Sequence, residues 1–302
     1  MLNGWIVYNG HLPGDKFLDY ANLVSDAASK KGMSIEVYPN HHLLSSLSTQ
    51  GNSILNKEHS PDFVVFGDKD ILLARQFEQL GIPVFNSSFA IEACDHKGLM
   101  YQLLAKQNIP IPETILGPKI YPGTKEIDTA SFQHVSKKLG FPMIIKEAYG
   151  SFGEQVYLVH NEKDMMEKLQ EVQGKPFLFQ EFISSSYGRD VRLNVVGDRV
   201  VTAMLRSAED DFRANVSAGG SMEPYTPSEK EINLAIRASQ SIGADFAGVD
   251  LLFGPDDTPI VCEINGNAHI RNIYNCTGVN VADDMASYII EWFERKESST
   301  NE

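Results

Sequence analysis

Apolar and polar positions change from strand-like to helix-like spacing several times along the first third of the chain. Trp5 to Tyr8 is a short apolar run that predicts a buried strand. A set of apolar residues then recurs at helical spacing and predicts a helix that Gly32 ends, namely Phe17, Tyr20, Ala21, Val24 and Ala28. The other elements predicted here are strands at 34–38, 62–66 and 82–85, a helix at 71–80, and an irregular or partly helical connection at 40–60. This alternation predicts a small parallel sheet covered by helices.

The rest of the chain divides into two further units. The second begins near Asp95, which is predicted to cap a helix at 97–107. Its other predicted elements are helices at 130–139 and 164–172 and strands at 142–146, 155–159 and 177–182. The third unit has predicted strands at 190–196, 199–206, 246–253 and 259–265, with helices near 228–242 and 281–296. Strands joined as hairpins and covered by helices are typical of an antiparallel α+β layer.

Two acidic residues lie on neighbouring apolar strands of this third unit, Asp250 in 248–253 and Glu263 in 259–265. A carboxylate in a buried strand is costly unless another group neutralises it. Glu263 and Asn265 point to one face, because side chains alternate along a strand with a period of two. Two carboxylates and an amide oxygen suit magnesium, which usually also holds substrate phosphates. The alternative is a surface hairpin that carries unrelated acids.

Cationic residues form the second candidate feature. Lys146 ends an apolar strand directly before the glycine turn 150–153, where a lysine and backbone N–H groups can approach one anion. An ordinary hairpin turn is the alternative there, and Lys97 at a helix start is more often solvated. Four arginines also cluster within a short stretch, namely Arg189, Arg192, Arg206 and Arg213. Arginines suit polyphosphate and carboxylate groups through paired hydrogen bonds. Asp190 lies beside them and is either an ion-pair partner or a ribose acceptor.

Composition narrows the functional classes. The chain has 302 residues, with 26 basic against 40 acidic side chains and a net charge of −14, the opposite of the balance expected for a nucleic-acid binder. No apolar run approaches the roughly 20 residues that span a bilayer, and the N-terminus does not resemble a secretory signal. The three cysteines have no CxxC spacing, which predicts a reduced, cytoplasmic setting.

A series of short motifs resembles those of ATP-grasp ligases, and is most similar to the RimK-type branch that joins glutamate to an acceptor. The motifs are Asp95-His96-Lys97, Ile144-Ile145-Lys146, Gly150-Ser151-Phe152-Gly153, Gln180-Glu181-Phe182-Ile183, Gly188-Arg189-Asp190-Val191-Arg192, Val196-Gly197-Asp198, Asp211-Phe212-Arg213-Ala214-Asn215, Gly219-Gly220, Gly248-Val249-Asp250 and Glu263-Ile264-Asn265. The resemblance implies an ATP-grasp fold, α/β and α+β in class. It implies a Rossmann-like domain at 1–94 and an ATP-grasp domain at 95–302, divided into a lid part (95–183) and a C-terminal antiparallel part (184–302).

The resemblance also implies roles for individual residues. Lys97 and Lys146 would contact ATP phosphates beside the glycine turn, Glu181 and Phe182 would line the adenine site, and Asp190 would hold the ribose. The other residues implied to contact the nucleotide are Ser151, Gly153, Arg213, Ala214 and Asn215. Asp250, Glu263 and Asn265 would bind magnesium, with manganese as an alternative metal. Arg206 and Arg213 would stabilise the reacting groups.

The chemistry that this resemblance implies is amide formation. A substrate carboxylate attacks the γ-phosphate of ATP, and an amine then displaces phosphate from the acyl phosphate. The expected partners are an amino acid, a peptide or a small metabolite, with no nucleic acid, no membrane, and association into a dimer or tetramer. Two alternatives stay open: a kinase built on the same nucleotide fold, and a nucleotide-binding regulator without turnover.

Three segments depart from the glutamate ligases. The run 266–271 replaces the usual small residue and Pro-Gly after Asn265, Ala218 stands where close relatives often carry arginine, and 67–70 differs from their arginine-bearing loop. Glutamate is therefore not implied as the added amino acid. His269 and Arg271 are candidates for contacting the substrate that varies, although a loop histidine is more often structural.

Overall fold

Three larger sheets and one small hairpin make up the part of the chain that the computed structural model describes, which is residues 1–55, 57, 59–151, 153–214 and 219–300. Helices cover the sheets. Among these described residues, no helix has the length and apolar character needed to cross a bilayer.

The first region contains the predicted parallel sheet. Its strands are β1 (Asn3–Tyr8), β2 (Ser34–Pro39), β3 (Ser45–Ser48), β4 (Gly51–Ile54), β5 (Phe63–Gly67) and β6 (Val84–Phe85). Four of them pair in the order β2-β1-β5-β6, all parallel. The helices are α1 (Lys16–Lys30), α2 (Ile71–Gln79) and α3 (Ser88–Asp95). Gly4 in β1 allows Phe63 of β5 to pack directly over the backbone, because a Cβ there would lie 2.2 Å from the ring.

The connection at 40–60 differs from its prediction as irregular or partly helical. A short 3-10 turn at Asn40–His42 is present, but β3 and β4 then form an antiparallel hairpin. Both strands are rich in serine, glycine and asparagine and are largely exposed. The apolar alternation that identifies a half-buried strand is therefore too weak to be recognised.

The second region is a four-stranded antiparallel sheet. Its strands are β7 (Thr114–Leu116), β8 (Met143–Glu147), β9 (Val156–Val159) and β10 (Phe177–Glu181), in the order β7-β10-β8-β9. Its helices are α4 (Lys97–Lys106), α5 (Thr129–Leu139) and α6 (Glu162–Glu171). The predicted N-cap was wrong by one residue: His96 caps α4 through Nδ1, which accepts from the Leu99 N–H at 3.1 Å. Asp95 ends α3 instead, and its carboxylate pairs with Lys69 Nζ at 2.6 Å.

The third region is the predicted antiparallel sheet with one additional strand. The strands are β11 (Arg189–Val196), β12 (Arg199–Ser207), β13 (Ser221–Pro224), β14 (Phe246–Phe253) and β15 (Pro259–Asn265), in the order β13-β12-β11-β14-β15. Three helices cover it, α7 (Glu229–Ser241), α8 (Ile270–Thr277) and α9 (Val281–Thr300). The sequence did not predict β7, β13, α3 or α8, which are short elements.

Asn86 joins the parallel sheet to the third sheet. It follows β6 and is buried. Its Nδ2 donates to the carbonyl oxygens of Phe246 and Gly266, each at 2.8 Å, and its Oδ1 accepts from the Phe246 N–H at 2.9 Å. One side chain therefore fixes the start of β14 and the end of β15 against the end of β6.

Replacement of Asn86 by alanine is expected to lower the free energy of unfolding by about 3 kcal/mol, because buried backbone groups lose their partners. Denaturant unfolding measures this change. The matched control is Asn52→Ala, where an exposed amide donates to Gln79 Oε1 at 3.3 Å, and a change within about 0.5 kcal/mol is expected. Equal effects in the two variants would show that Asn86 does not join the sheets.

Candidate functional site

A cavity that opens to solvent lies between the second and third sheets, with about 870 Å³ of empty space when the adjoining solvent is included. Of the residues predicted from the sequence, those that line it are Lys97, Lys146, Ser151, Gly153, Glu181, Phe182, Asp190, Arg206, Arg213, Ala214, Asp250 and Glu263. Its apolar lining includes Ile144, Val156, Ile183, Phe212 and Leu252. An apolar wall combined with a few converging charged groups is typical of small-molecule sites. Asn265 lies beside the cavity on β15, and Asn215 lies outside the described residues.

Four charged side chains of β11, β12 and β14 form a connected ion-pair network. Arg206 holds Asp190 through two hydrogen bonds of 2.6 and 2.7 Å, and Arg192 holds Asp250 in the same way at 2.6 and 2.7 Å. Arg206 also contacts Asp250 at 2.9 Å, which links the two pairs. Strand register explains the geometry, because Asp190 lies opposite Arg206 and Arg192 lies opposite Asp250.

The network gives its two carboxylates different electrostatic surroundings. Burial tends to raise the pKa of Asp250, which is 4% exposed, but Arg192 and Arg206 outweigh burial and hold that pKa below its ordinary value. Among the described residues, Arg206 is the one cation within hydrogen-bond distance of the Asp190 carboxylate. Burial, together with the charge of Asp250, therefore raises the pKa of Asp190 above its ordinary value despite that arginine.

These contacts correct one step of the sequence argument. The sequence predicts that a metal neutralises the buried charge of Asp250, but Arg192 and Arg206 already neutralise this carboxylate. These arginines lie on β11 and β12, and the sequence does not specify how those strands align with β14. Asp190 was predicted as an ion-pair partner or a ribose acceptor, and the ion pair is the contact present. Its role toward ribose stays a prediction.

The three residues predicted to bind metal do converge. Asp250 lies opposite Glu263 across β14 and β15, and the Asn265 amide lies 3.4 Å from Asp250 Oδ2. A 180° rotation of that amide would exchange its nitrogen and oxygen, and so bring Asn265 Oδ1 close to Asp250. The two orientations have nearly the same shape, so either can fit. The described residues contain no cluster of three His, Cys, Asp or Glu side chains suited to a metal. Two carboxylates and an amide nevertheless fit magnesium, which completes its ligands with water and phosphate oxygens.

The two predicted lysines are buried close to Glu263. Lys97 Nζ donates to the Gly150 carbonyl at 3.0 Å and lies 3.3 Å from Glu263 Oε1. Lys146 Nζ donates to the Tyr101 hydroxyl at 3.2 Å and lies 3.9 Å from Cys262 Sγ. Burial acts to lower the pKa of Lys146, but the surrounding Cys262, Tyr101 and Glu263 raise it above its ordinary value. Both lysines therefore bring positive charge to the cavity.

The glycine turn is held by an arginine from the third region. Arg213 donates to the Gly153 carbonyl at 2.6 Å and pairs with Asp211 at 2.7 Å. This pairing raises the pKa of Arg213. Gly150 has φ 144°, a conformation that favours glycine, and a Cβ there would lie 2.2 Å from the Gln155 side chain. Phe152 and Ala218 lie outside the described residues.

Some functional positions were missed, and two candidates lie elsewhere. Gln180 and Cys262 line the cavity but were not predicted as site residues. For Gln180 a sequence signal existed, because it lies two residues before Phe182 and so shares its face of the strand. His269 Nε2 lies 2.7 Å from the Lys16 carbonyl oxygen, and Arg271 forms a two-bond pair with Asp19. These contacts place His269 and Arg271 against α1 and outside the cavity lining.

Comparison with known proteins agrees with this architecture. The model of the RimK-like ATP-grasp domain matches residues 94–289. A probable alpha-L-glutamate ligase of Enterobacter sp. (strain 638) is 32% identical over 285 residues, which cover 89% of this chain and 90% of that protein. Human beta-citrylglutamate synthase B is 34% identical over 226 residues, which cover 74% of this chain but only 57% of the synthase.

Solved structures show the same fold. The ATP-grasp ligase PsnB, in a complex with minimal precursor, Mg and ADP, superposes with a TM-score of 0.70. Its sequence identity is 18%, and the match covers 95% of this chain and 96% of PsnB. This likeness confirms the ATP-grasp fold expected from the motifs. Because the family match spans 94–289 and relatives above 30% identity cover most of the chain, this protein belongs to the RimK-like ATP-grasp family.

Proposed function

We propose that the protein is an ATP- and magnesium-dependent ligase that joins a carboxylate to an amine through an acyl phosphate. The observation that carries this proposal is the convergence of Lys97, Lys146 and Arg213 with Asp250 and Glu263 around one cavity. Cations opposite paired carboxylates suit a polyphosphate with its metal. Membership of a ligase family supports the amide-forming reaction, and the names of the relatives support an amino acid or peptide as a substrate.

In the first step, an oxygen of the substrate carboxylate forms a bond to the γ-phosphorus of ATP, and the bond to the β-phosphate oxygen breaks to release ADP. In the second step, the amine nitrogen bonds to the acyl carbon, phosphate leaves, and the nitrogen loses a proton. The protein needs no nucleophile of its own. Its contribution is to position the substrates and to offset developing charge.

The cations have distinct proposed roles. Lys97 and Lys146 bind phosphate oxygens, and both are held rigidly by hydrogen bonds. Arg213 fixes the glycine turn and, with Arg206, stabilises the acyl phosphate and the tetrahedral species that follows it. Magnesium bound by Asp250, Glu263 and Asn265 supplies further positive charge at the phosphates. Glu181 and Phe182 line the same cavity and are proposed to bind adenine.

Several finer expectations remain proposals of the same kind. We keep the domain boundary after residue 94, the cytoplasmic location and association into a dimer or tetramer as predictions from the sequence. Manganese stays an alternative to magnesium.

A screen for phosphate release over pairs of amino acids tests the proposed reaction. Release is expected only when ATP, an acid and an amine are all present, and mass spectrometry of the product should give the mass of an amide. A product heavier than one substrate by a phosphate group would instead identify a kinase. Nucleotide binding without phosphate release for any pair would identify a regulator.

Removal of divalent metal is expected to reduce phosphate release to the background rate, because the phosphates and carboxylates then repel one another. The assay is run in excess EDTA and repeated after magnesium is restored. Full recovery is expected with magnesium. Undiminished turnover in EDTA would contradict the assignment of Asp250, Glu263 and Asn265 as metal ligands.

A further inference from the structure

The loops that follow β1 and β5 meet at the point where the strand order of the parallel sheet reverses. From β1 the chain passes to β2 on one side, whereas β5 pairs with β1 on the other side. Ligands of open α/β sheets bind in the crevice at such a point, beyond the carboxyl ends of the strands. Asn9 follows β1 directly, and Asp68 follows β5 directly. These two residues contact each other at the position where that rule places a ligand.

Asp68 is a buried carboxylate without a cationic partner. It is 7% exposed, and its two oxygens accept from Asn9 Nδ2 at 3.1 and 3.2 Å. Within the described part of the chain it forms no ion pair. Its burial raises its pKa above the ordinary value, although hydrogen bonds to Asn9 and the Lys69 backbone act in the opposite direction. Buried acids of this kind are rare unless paired.

The neighbouring charged residues of the loop are already engaged. Lys69 Nζ contacts Asp95 at 2.6 Å and Ser151 Oγ at 3.2 Å. The Asp70 side chain caps α2 by accepting from the Leu73 N–H at 3.2 Å. Among the described residues, Asp68 is therefore the member of the Asp68-Lys69-Asp70 run that neither forms an ion pair nor caps a helix.

Asn267, which contacts the Asp68 backbone, carries an acceptor that lacks a donor. Asn267 Nδ2 donates to the Asp68 carbonyl oxygen at 2.7 Å, which ties the loop after β15 to the loop after β5. The Asn267 Oδ1 atom is buried and has no hydrogen-bond partner among the described residues. A buried carboxylate without an ion pair and an amide oxygen without a donor suit an ammonium group, which offers three N–H donors and a positive charge.

This crevice adjoins the proposed reaction site. Asn267 lies two residues after the predicted metal ligand Asn265, and Lys69 reaches the glycine turn through Ser151. A substrate held at Asp68 would therefore lie next to the phosphate end of the nucleotide cavity.

We propose that Asp68 and Asn267 bind an ammonium group of a substrate amino acid or peptide. The inference rests on the proposed ligase function and narrows its substrate class to molecules that present a cationic amino group at this crevice. The group is either an α-ammonium or the ammonium of a side chain. Asn9 acts as a positioning residue, because it holds both oxygens of the Asp68 carboxylate.

The test is calorimetric titration of the protein, saturated with magnesium and ADP, with four probes. L-Lysine carries both ammonium groups, Nα-acetyl-L-lysine keeps the side-chain one, Nε-acetyl-L-lysine keeps the α-ammonium, and diacetyl-lysine has neither. At least one cationic probe is expected to bind more tightly than diacetyl-lysine. The two monoacetyl probes identify which ammonium is bound.

The decisive comparison is between two variants of the same loop. Asp68→Asn is expected to weaken binding of the preferred probe at least tenfold, since one partner of a buried charge pair is lost. Asp70→Asn makes the same charge change and retains a residue suited to cap α2, so affinity should stay within twofold. Equal affinity of wild type and Asp68→Asn, or no preference for any cationic probe, would overturn the proposal.

Three further measurements distinguish an ammonium site from a structural role of Asp68 and from failure of the proposed ligase function. Asp68→Asn should leave the midpoint of urea unfolding unchanged or raise it, because an unbalanced buried charge is removed. A variant that does not fold would make Asp68 structural and overturn the proposal. Asn267→Ala should also weaken the preferred probe. Failure of ADP to bind would contradict the ligase function itself, whereas ADP binding with unaltered probe affinity in Asp68→Asn contradicts only the ammonium site.

Discussion

Replacement of Arg206 by methionine is expected to lower the free energy of unfolding by about 3–5 kcal/mol and to abolish ATP-dependent phosphate release. The arginine is 6% exposed and contacts both Asp190 and Asp250. Removing one member of a buried ion-pair network leaves charge without compensation, which costs several kcal/mol. Asp190 loses the arginine that donates to both of its oxygens, whereas Asp250 keeps Arg192. Denaturant unfolding and a phosphate-release assay measure the two effects.

The matched control for this experiment is Arg199→Met. Arg199 lies on the same strand, β12, and pairs with Glu291 at 3.3 Å, but both side chains are half-exposed. A surface pair of this kind contributes at most about 1 kcal/mol. If Arg206→Met destabilised the protein no more than Arg199→Met, the network would have no part in holding β11, β12 and β14 together.

Replacement of Lys146 by methionine is expected to reduce turnover by roughly 10²–10³, the effect of losing one preorganised group that stabilises charge. Methionine keeps an unbranched apolar chain of similar length, so the packing around β8 should persist. The lysine is buried beside Tyr101 and Cys262, and its ammonium faces the cavity. The assay is phosphate release with the substrate pair found in the screen, together with ADP binding.

Lys175→Met provides the control. Lys175 pairs at 2.9 Å with Glu147, which lies on β8 next to Lys146, but the Lys175 side chain is more than half exposed. Turnover within twofold of wild type is expected for that variant. Full activity of Lys146→Met would refute the role of Lys146 at the phosphates. Equal losses in both variants would point to a general effect of lysine removal near β8.

The sequence predicted the elements with strong patterns. The apolar runs of β1, β5, β8 and β14 are local signals, and the structure has a strand at each of these places. The elements it missed are short or polar. The β3–β4 hairpin has few apolar residues, and α8 spans only Ile270–Thr277. Short segments carry too few turns of the apolar pattern to be separated from a loop.

The sequence predicted which residues form the candidate site, but it did not predict which of their charges pair. Lys97, Lys146, Asp250 and Glu263 were identified from motifs, and they line one cavity. The pairing of Arg192 with Asp250 depends on the register between β11 and β14, which are separated by about 50 residues of chain. A sequence gives the residues of each strand, but their pairing follows from packing of the whole sheet. The buried state of Asp68 has the same origin, because Asn9 and Asn267 come from distant loops.

The measurement that tests the central claim most directly is a crystal structure of the protein with ADP and magnesium. The account predicts the nucleotide between the second and third sheets, with Lys97 and Lys146 on its phosphates. It also predicts the metal on Asp250, Glu263 and Asn265. A nucleotide bound elsewhere, or a metal that contacts neither Asp250 nor Glu263, would contradict it.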